Sequence, residues 1–226
     1  MIGPSIADVL PLAVGVLVSP IPIIAIILML FSPGARSNGP AFLLGWVVGL
    51  GAVSAIVYAI SNGADVSGSS GASDSTSVVK MVLGGVLVLM GFRHWRKRPA
   101  HGAAASMPKW MAAIDSITPV KAFGLAVVLS AVNPKNLILT AGAASTVGQN
   151  GVSTGDAVVV LAVFVVVASL SIAAPVTVDL LAGDRAQRVL DTWKGWLEQN
   201  NATVMAVLLV VIGVVLFAKG LGPITS

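Results

Sequence analysis

Cysteine is absent from this chain of 226 residues, and charged residues make up only 10% of it. Without cysteine the protein forms no disulfide and no thiolate metal site. A soluble domain carries roughly 25% charged residues, so the scarcity of charge excludes a surface that faces water on all sides. The sequence also lacks a Ser/His/Asp cluster, a phosphate-binding loop and paired carboxylates. We therefore expect no catalytic residue, no bound metal, no cofactor and no enzyme activity.

Apolar residues dominate what remains, at 56% of the chain with a mean hydropathy of +0.96. A helix needs about 20 apolar residues to cross the hydrocarbon core of a bilayer, and six stretches of the sequence are candidates. Their lengths and composition predict an all-α membrane protein with six transmembrane helices. The stretches are residues 7–31, 40–61, 77–92, 121–147, 156–181 and 202–221.

The basic residues are distributed unevenly between the two sides that these stretches define. Ten of the 13 lysines and arginines lie in the links after the first, third and fifth stretches, or at their ends. Such an excess marks the cytoplasmic side. We therefore predict a multi-pass protein of the plasma (inner) membrane with both termini outside. Because these links account for most of the basic residues, the net charge of +4 predicts no nucleic-acid partner.

The basic link at residues 95–118 divides the chain into two halves with three predicted helices each. We predict a first three-helix repeat over residues 1–94, a cytoplasmic linker over 95–118 and a second repeat over 119–226. An odd number of helices per half gives the halves opposite orientations, and such inverted repeats are typical of secondary transporters. In the link after the fifth stretch, Trp193 lies among apolar residues at helical spacing, which predicts a short interfacial helix before the sixth span.

Two proline motifs interrupt the first and fourth stretches, with Pro20 and Pro134 lying 114 residues apart (134 − 20). Proline lacks a backbone N–H and its ring obstructs the carbonyl four residues earlier, so each motif predicts a break in its helix. A pair of broken helices in matching halves indicates a substrate site, and a purely structural kink is the alternative at either position. The predicted substrate-binding residues are Ser19, Pro20, Pro22, Asn133, Pro134, Lys135 and Asn136.

Lys135 lies near the middle of the fourth stretch, where a lysine costs roughly 2.5–3.5 kcal/mol. No Asp or Glu occupies a comparable depth, which argues against a carrier of metal ions or a proton-coupled carrier of cations. Three interpretations of the amine are open. The amine extends to the outer interface, bonds to the carbonyls that lose their helical donors at the proline breaks, or binds an anionic group of a substrate, such as carboxylate, phosphate or sulfate.

The two motifs, Ser-Pro-Ile-Pro at residues 19–22 and Asn-Pro-Lys-Asn at 133–136, resemble those of the lysine-exporter superfamily. Its members have six helices in two inverted halves, with proline motifs in helices one and four. Within it, the chain looks most like the GAP family, which includes glycopeptidolipid- and sulfolipid-addressing proteins and is implicated in moving envelope glycolipids to the cell surface. The resemblance implies that the two motifs form the central site. The amino-acid-exporting branch typically has Pro-Gly-Pro where this chain has Pro-Ile-Pro, which argues against amino-acid export.

Together these inferences give one expected function and two alternatives. We expect a membrane transporter or flippase component that moves an anionic or amphipathic envelope (glyco)lipid toward the cell surface. The first alternative is an exporter of small solutes such as amino acids, and the second is a non-transporting membrane scaffold or an acyl-handling membrane enzyme. The expected partners are the membrane lipid or amphipathic substrate and the envelope-lipid export machinery. The sequence leaves the oligomeric state undetermined, and a homodimer is one alternative.

Overall fold

The computed structural model of the protein describes residues 2–65, 72–96, 117–182 and 184–225, and every regular element in these ranges is an α-helix. The all-α class that the sequence predicts is therefore confirmed for these residues. Most of the predicted linker, residues 97–116, lies outside them. The helices are α1 (Gly3–Leu17), α2 (Pro20–Leu30), α3 (Ala35–Asp65), α4 (Ala72–Arg96), α5 (Pro119–Ala131), α6 (Pro134–Gln149), α7 (Thr154–Ala182) and α8 (Asp184–Thr225).

The first and fourth predicted spans are each divided into two helices. The bend between α1 and α2 is 54°, and the bend between α5 and α6 is 66°. Pro20 and Pro134 are the first residues of α2 and α6. Proline is favoured there because its fixed φ suits a helix start and its missing N–H would have no helical partner. Both predicted breaks are therefore confirmed, each at the proline that the sequence singles out.

Helices α3, α7 and α8 each contain a stretch long and apolar enough to cross a membrane, which makes three candidates among the described residues. The number rises to five if each bent pair crosses as one span. The third predicted span, residues 77–92, lies in α4, which is not among these candidates. The structure thus supports a membrane protein with three to five candidate spans. A total of six spans, which would require α4 to cross the membrane, stays a prediction, and so does the location of the termini.

Helix α8 differs from the sequence prediction at its start. Instead of a separate interfacial helix followed by a span, it runs unbroken for 42 residues, or about 63 Å at 1.5 Å per residue. Its first turns pack on the protein, since Leu190 and Leu197 are buried and α8 contacts α2. Lys194 Nζ also lies 5.9 Å from the centroid of the Phe31 ring, at the end of α2. Part of the apolar face that suggested membrane contact is therefore covered by protein, whereas Val189 and Trp193 are exposed.

Close approaches between helices occur at glycines. A Cβ added to Gly45 would meet the backbone of Phe123, so α3 lies directly against α5. A Cβ added to Gly84 would lie 2.7 Å from the carbonyl oxygen of Gly213, so α4 and α8 are equally close. Small residues permit such contacts between membrane helices, where no hydrophobic effect drives association.

Two polar contacts mark opposite ends of the bundle. Asn38 Nδ2 donates to the carbonyl of Ile117 over 3.0 Å and joins the starts of α3 and α5. Asn150 Nδ2 donates to the hydroxyl of Ser5 over 2.9 Å and joins the end of α6 to the start of α1. The first bent pair begins near Ser5 and ends shortly before Asn38, and the second runs from just after Ile117 to just before Asn150. Each pair therefore runs from one contact toward the other, and its break lies between the two ends of the bundle.

Candidate functional site

The break between α1 and α2 leaves two carbonyl oxygens without their usual helical donors. In a continuous helix the N–H of Ser19 would bond Gly15 O, and the N–H of residue 22 would bond Val18 O. The N–H of Ser19 instead donates to Leu17 O over 3.0 Å, and Pro22 has no N–H. The first motif therefore presents the carbonyls of Gly15 and Val18 as acceptors for another part of the protein.

Lys135, which belongs to the other broken pair, bonds both of these carbonyls. Its Nζ donates to Gly15 O over 2.7 Å and to Val18 O over 3.1 Å. The side chain is only 1% exposed, and a buried amine is costly unless it is hydrogen-bonded. Among the three interpretations of Lys135, the structure contains the carbonyl-bound arrangement, and the amine does not reach the interface.

Asn136 joins the same two breaks through its side-chain amide. Its Nδ2 donates to Leu129 O over 3.0 Å, and its Oδ1 accepts from Ser19 Oγ over 3.3 Å. Leu129 lies in the last turn of α5, where carbonyls lack helical partners. Both Asn136 and Ser19 are buried. The hydroxyl of the first motif and the amide of the second therefore form one polar junction with Lys135.

The carbonyls of Gly15 and Leu129 occupy matching positions in the two halves. They lie 114 residues apart (129 − 15), the same spacing as the two motif prolines. One is bonded by the lysine and the other by the asparagine of the second motif. The counterparts of these two side chains in the first motif are Ile21 and Pro22, which cannot donate side-chain hydrogen bonds. The second motif therefore supplies the donors for both breaks.

The remaining predicted site residues surround this junction. Asn133 caps α6, because its Oδ1 accepts from the backbone N–H of Lys135 over 3.1 Å. Pro20 and Pro22 are buried at the start of α2. Pro134 is exposed, so its ring lies on the surface of the bundle while the lysine amine lies inside. The structure thus brings Ser19, Lys135 and Asn136 together, and the prolines and Asn133 position the helix ends that carry them.

An apolar layer lies against Gly15, whose carbonyl accepts a hydrogen bond from the amine. Leu139 of α6 and Ile212 of α8 form this layer, and both are buried. A Cβ added to Gly15 would contact both, at 2.8 Å from Leu139 Cδ1. Aliphatic side chains therefore border the junction at Gly15, and they can move apart without breaking a hydrogen bond.

Comparison with known proteins assigns a family to this arrangement. The family model described as Sap, sulfolipid-1-addressing protein, matches residues 9–222. The chain belongs to this family. No curated protein and no solved structure matches it. The match covers both proline motifs and agrees with the resemblance to sulfolipid-addressing proteins that the sequence suggests.

The acceptors of the junction in this Sap-family protein were not found from the sequence. Gly15, Val18 and Leu129 contribute only backbone carbonyls, which every residue has, so no side-chain pattern marks them. Each lies four or five residues before a motif proline. A helical N–H bonds the carbonyl four residues earlier. Counting back four residues from each motif proline, or from the residue before it, therefore identifies all three as carbonyls that lose their donors.

Proposed function

We propose that this protein is a transporter or flippase component that moves an anionic or amphipathic envelope lipid, such as a glycolipid, across the plasma (inner) membrane toward the cell surface. One observation carries the proposal: the amine of Lys135 is buried in the middle of the bundle on carbonyls of another broken helix. Ionisable residues at such depth are expensive and mark substrate or ion pathways. The family description speaks of addressing a sulfolipid, and a sulfate is an anion that such an amine binds.

In the proposed mechanism, Lys135 exchanges one set of oxygens for another. The carbonyls of Gly15 and Val18 hold the amine while no substrate is bound. Oxygens of a sulfate, phosphate or carboxylate head group then replace these carbonyls, so the charge is never left bare in the membrane. The exchange removes the lysine contact between α6 and the first break, and it lets the bend between α1 and α2 change. Separation of Leu139 from Ile212 then opens a way toward the end of the bundle where α1 begins.

The pattern of helix contacts supports the proposed inverted repeat of six spans. In this proposal α4 crosses the membrane as well, in addition to the five candidate spans. Helix α3 contacts α5 and α6, and α7 contacts α1 and α2. Exchanging the first four helices for the last four converts one set of contacts into the other, and the contact between α4 and α8 maps onto itself. Such layouts are typical of transporters whose substrate site lies where broken helices meet. The proposed orientation has both termini outside, on the basis of the excess of basic residues in the other links.

The test compares two lysines of the same broken pair in reconstituted vesicles. Lys135→Met removes the buried amine, and Lys121→Met removes an exposed amine near the start of α5 as the matched control. The substrate is a fluorescent lipid with a sulfated head group, and its movement is followed by the access of an impermeant reducing agent. A hydrogen bond to a charged group contributes about 1.5–3 kcal/mol. We therefore expect Lys135→Met to slow the movement roughly 10- to 150-fold and Lys121→Met to leave it unchanged.

Parallel measurements in cells separate the proposal from its alternatives. Loss of surface lipid in the Lys135→Met strain, at normal protein abundance, is the expected result. Unchanged surface lipid together with intracellular accumulation of an amino acid would instead favour export of small solutes. If neither changes and both lysine variants move the sulfated lipid at the wild-type rate, the transport proposal is wrong and a scaffold role is favoured.

A further inference from the structure

Two adjoining cavities lie at the end of the bundle where α1 begins, and they differ in chemical character. The larger, about 410 Å³ in volume, is the polar chamber, lined by the polar residues Ser5, Asp8, Asn150, Ser153 and Asp156 together with Pro4, Gly151 and Val152. The smaller, about 260 Å³, is the apolar groove, lined mainly by Leu12, Val211, Ile212, Val215 and Leu216. Asp8 and Asn150 line both cavities, so the two meet at these side chains.

The apolar groove extends from the surface of α8 into the bundle. Val211 and Val215 are exposed, at 54% and 43%, whereas Ile212 and Leu216 are buried. Exposed aliphatic residues on a span face the acyl chains of the bilayer. An alkyl chain can therefore enter the groove sideways from the membrane. Ile212 also belongs to the apolar layer against Gly15, so the groove ends next to the junction of the two breaks.

The polar chamber favours hydroxyl groups over anions. Two carboxylates, an amide and two hydroxyls line it, and no Lys, Arg or His is among the lining residues. Carboxylates accept hydrogen bonds from hydroxyls and repel sulfate or phosphate, while the amide of Asn150 both donates and accepts. The volume of about 410 Å³ lies in the range of roughly 300–1,000 Å³ that is usual for small-molecule pockets. It therefore matches a head group and far exceeds a single ion.

We propose that these two cavities form a second lipid site, which binds the hydroxyl-rich part of an amphiphile's head group in the polar chamber and one alkyl chain in the apolar groove. As a station for the transported lipid, the site rests on the proposed function, whereas binding itself depends only on the cavities. The two sites then recognise different parts of one lipid class. Lys135 binds the anionic group, and the chamber binds hydroxyls once the lipid has passed the apolar layer.

The absence of cysteine permits a direct test by labelling single sites in the full chain. Val215→Cys places a bimane fluorophore in the groove. Val214→Cys, at a neighbouring exposed position outside the groove lining, is the matched control. The labelled protein in nanodiscs is titrated with an alkyl maltoside whose chain carries a doxyl quencher. We expect saturable quenching at position 215 above the non-saturable quenching at position 214. The same doxyl chain on a sulfate head group should give no such excess.

A second pair of variants tests the chamber. In the Val215→Cys background, Asn150→Ala removes a lining amide and should raise the maltoside concentration for half-maximal excess quenching about 5-fold. Gln149→Ala, next in sequence but outside the lining, should leave it unchanged. Equal quenching at both label positions would overturn the site. Stronger binding of a doxyl-alkyl trimethylammonium than of the maltoside would overturn its assignment to hydroxyl-rich head groups.

The outcomes also distinguish this inference from the proposed function. Excess quenching with maltoside, together with sulfated lipid that moves equally fast with and without Lys135, would refute transport through the lysine and leave the second site in place. Lysine-dependent movement without excess quenching at position 215 would refute the second site alone.

Discussion

Replacing Asn136 by alanine should weaken the junction between the two broken helices more than replacing Ser19 does. Asn136→Ala removes the donor to Leu129 O and the acceptor of Ser19 Oγ. Ser19→Ala removes only the second of these bonds, which is the longer at 3.3 Å. The two variants therefore remove two bonds and one bond from the same buried junction, and their difference measures the bond to Leu129.

The expected magnitudes follow from bonds of this kind in membrane proteins. Interhelical side-chain hydrogen bonds average about 0.6 kcal/mol and reach about 1.7 kcal/mol, and a buried carbonyl left unsatisfied costs about 1–3 kcal/mol. We expect Asn136→Ala to lower the free energy of unfolding by about 2–4 kcal/mol and Ser19→Ala by about 0.6 kcal/mol. The double variant should lose about 0.6 kcal/mol less than the sum, because the shared bond is counted only once.

Unfolding in mixed micelles, driven by increasing dodecyl sulfate and followed by far-UV circular dichroism, measures these differences. Gln149→Ala is the control, since its amide donates only to Ser145 Oγ within the same helix, and it should cost less than about 0.5 kcal/mol. Equal losses for Ser19→Ala and Asn136→Ala, with no coupling in the double variant, would refute a side-chain link between the two breaks.

Two further predictions concern packing and orientation. A Cβ at Gly49 would meet Ser130 Oγ across the α3–α5 contact, whereas a Cβ at Gly51 meets open space. Gly49→Val should therefore lose about 1–3 kcal/mol in the same unfolding assay and Gly51→Val much less, and equal losses would contradict the close contact. With both termini outside, an impermeant maleimide should label Thr154→Cys in intact cells and should label Gln187→Cys only after the membrane is opened. The reverse pattern would overturn the orientation.

The two helix breaks could be predicted from the sequence because proline acts locally. Its missing N–H and its ring disturb the helix whatever surrounds it, so Pro20 and Pro134 were sufficient to locate both bends. The depth of Lys135 followed in the same way from its position in an apolar stretch. Membership of the sulfolipid-1-addressing family agrees with the resemblance carried by these motifs.

The partners of Lys135 could not be predicted, because they depend on how α6 approaches α1 in three dimensions. The carbonyls of Gly15 and Val18 were two of several acceptors that proline breaks make available. The helix predicted over residues 185–200 is present, but its continuity with the following span could not be predicted, for a related reason. Its apolar face is compatible with a membrane surface or a protein surface, and in the structure Leu190 and Leu197 are buried by protein while Val189 and Trp193 are exposed.

In the proposed mechanism, the amine that Lys135 contributes to the junction makes the two matching halves unequal in motion. Asn136 ties α6 to α5 within its own half, so the second bent pair keeps its shape when the amine of Lys135 leaves the first. The first pair then keeps the contacts between Ser19 and Asn136 and between Ser5 and Asn150, but the carbonyls at its own break have lost their donor, so it is the half whose bend can change. In this proposal, a layout that is nearly symmetric at rest gives a one-sided movement, with α5 and α6 as the stationary support.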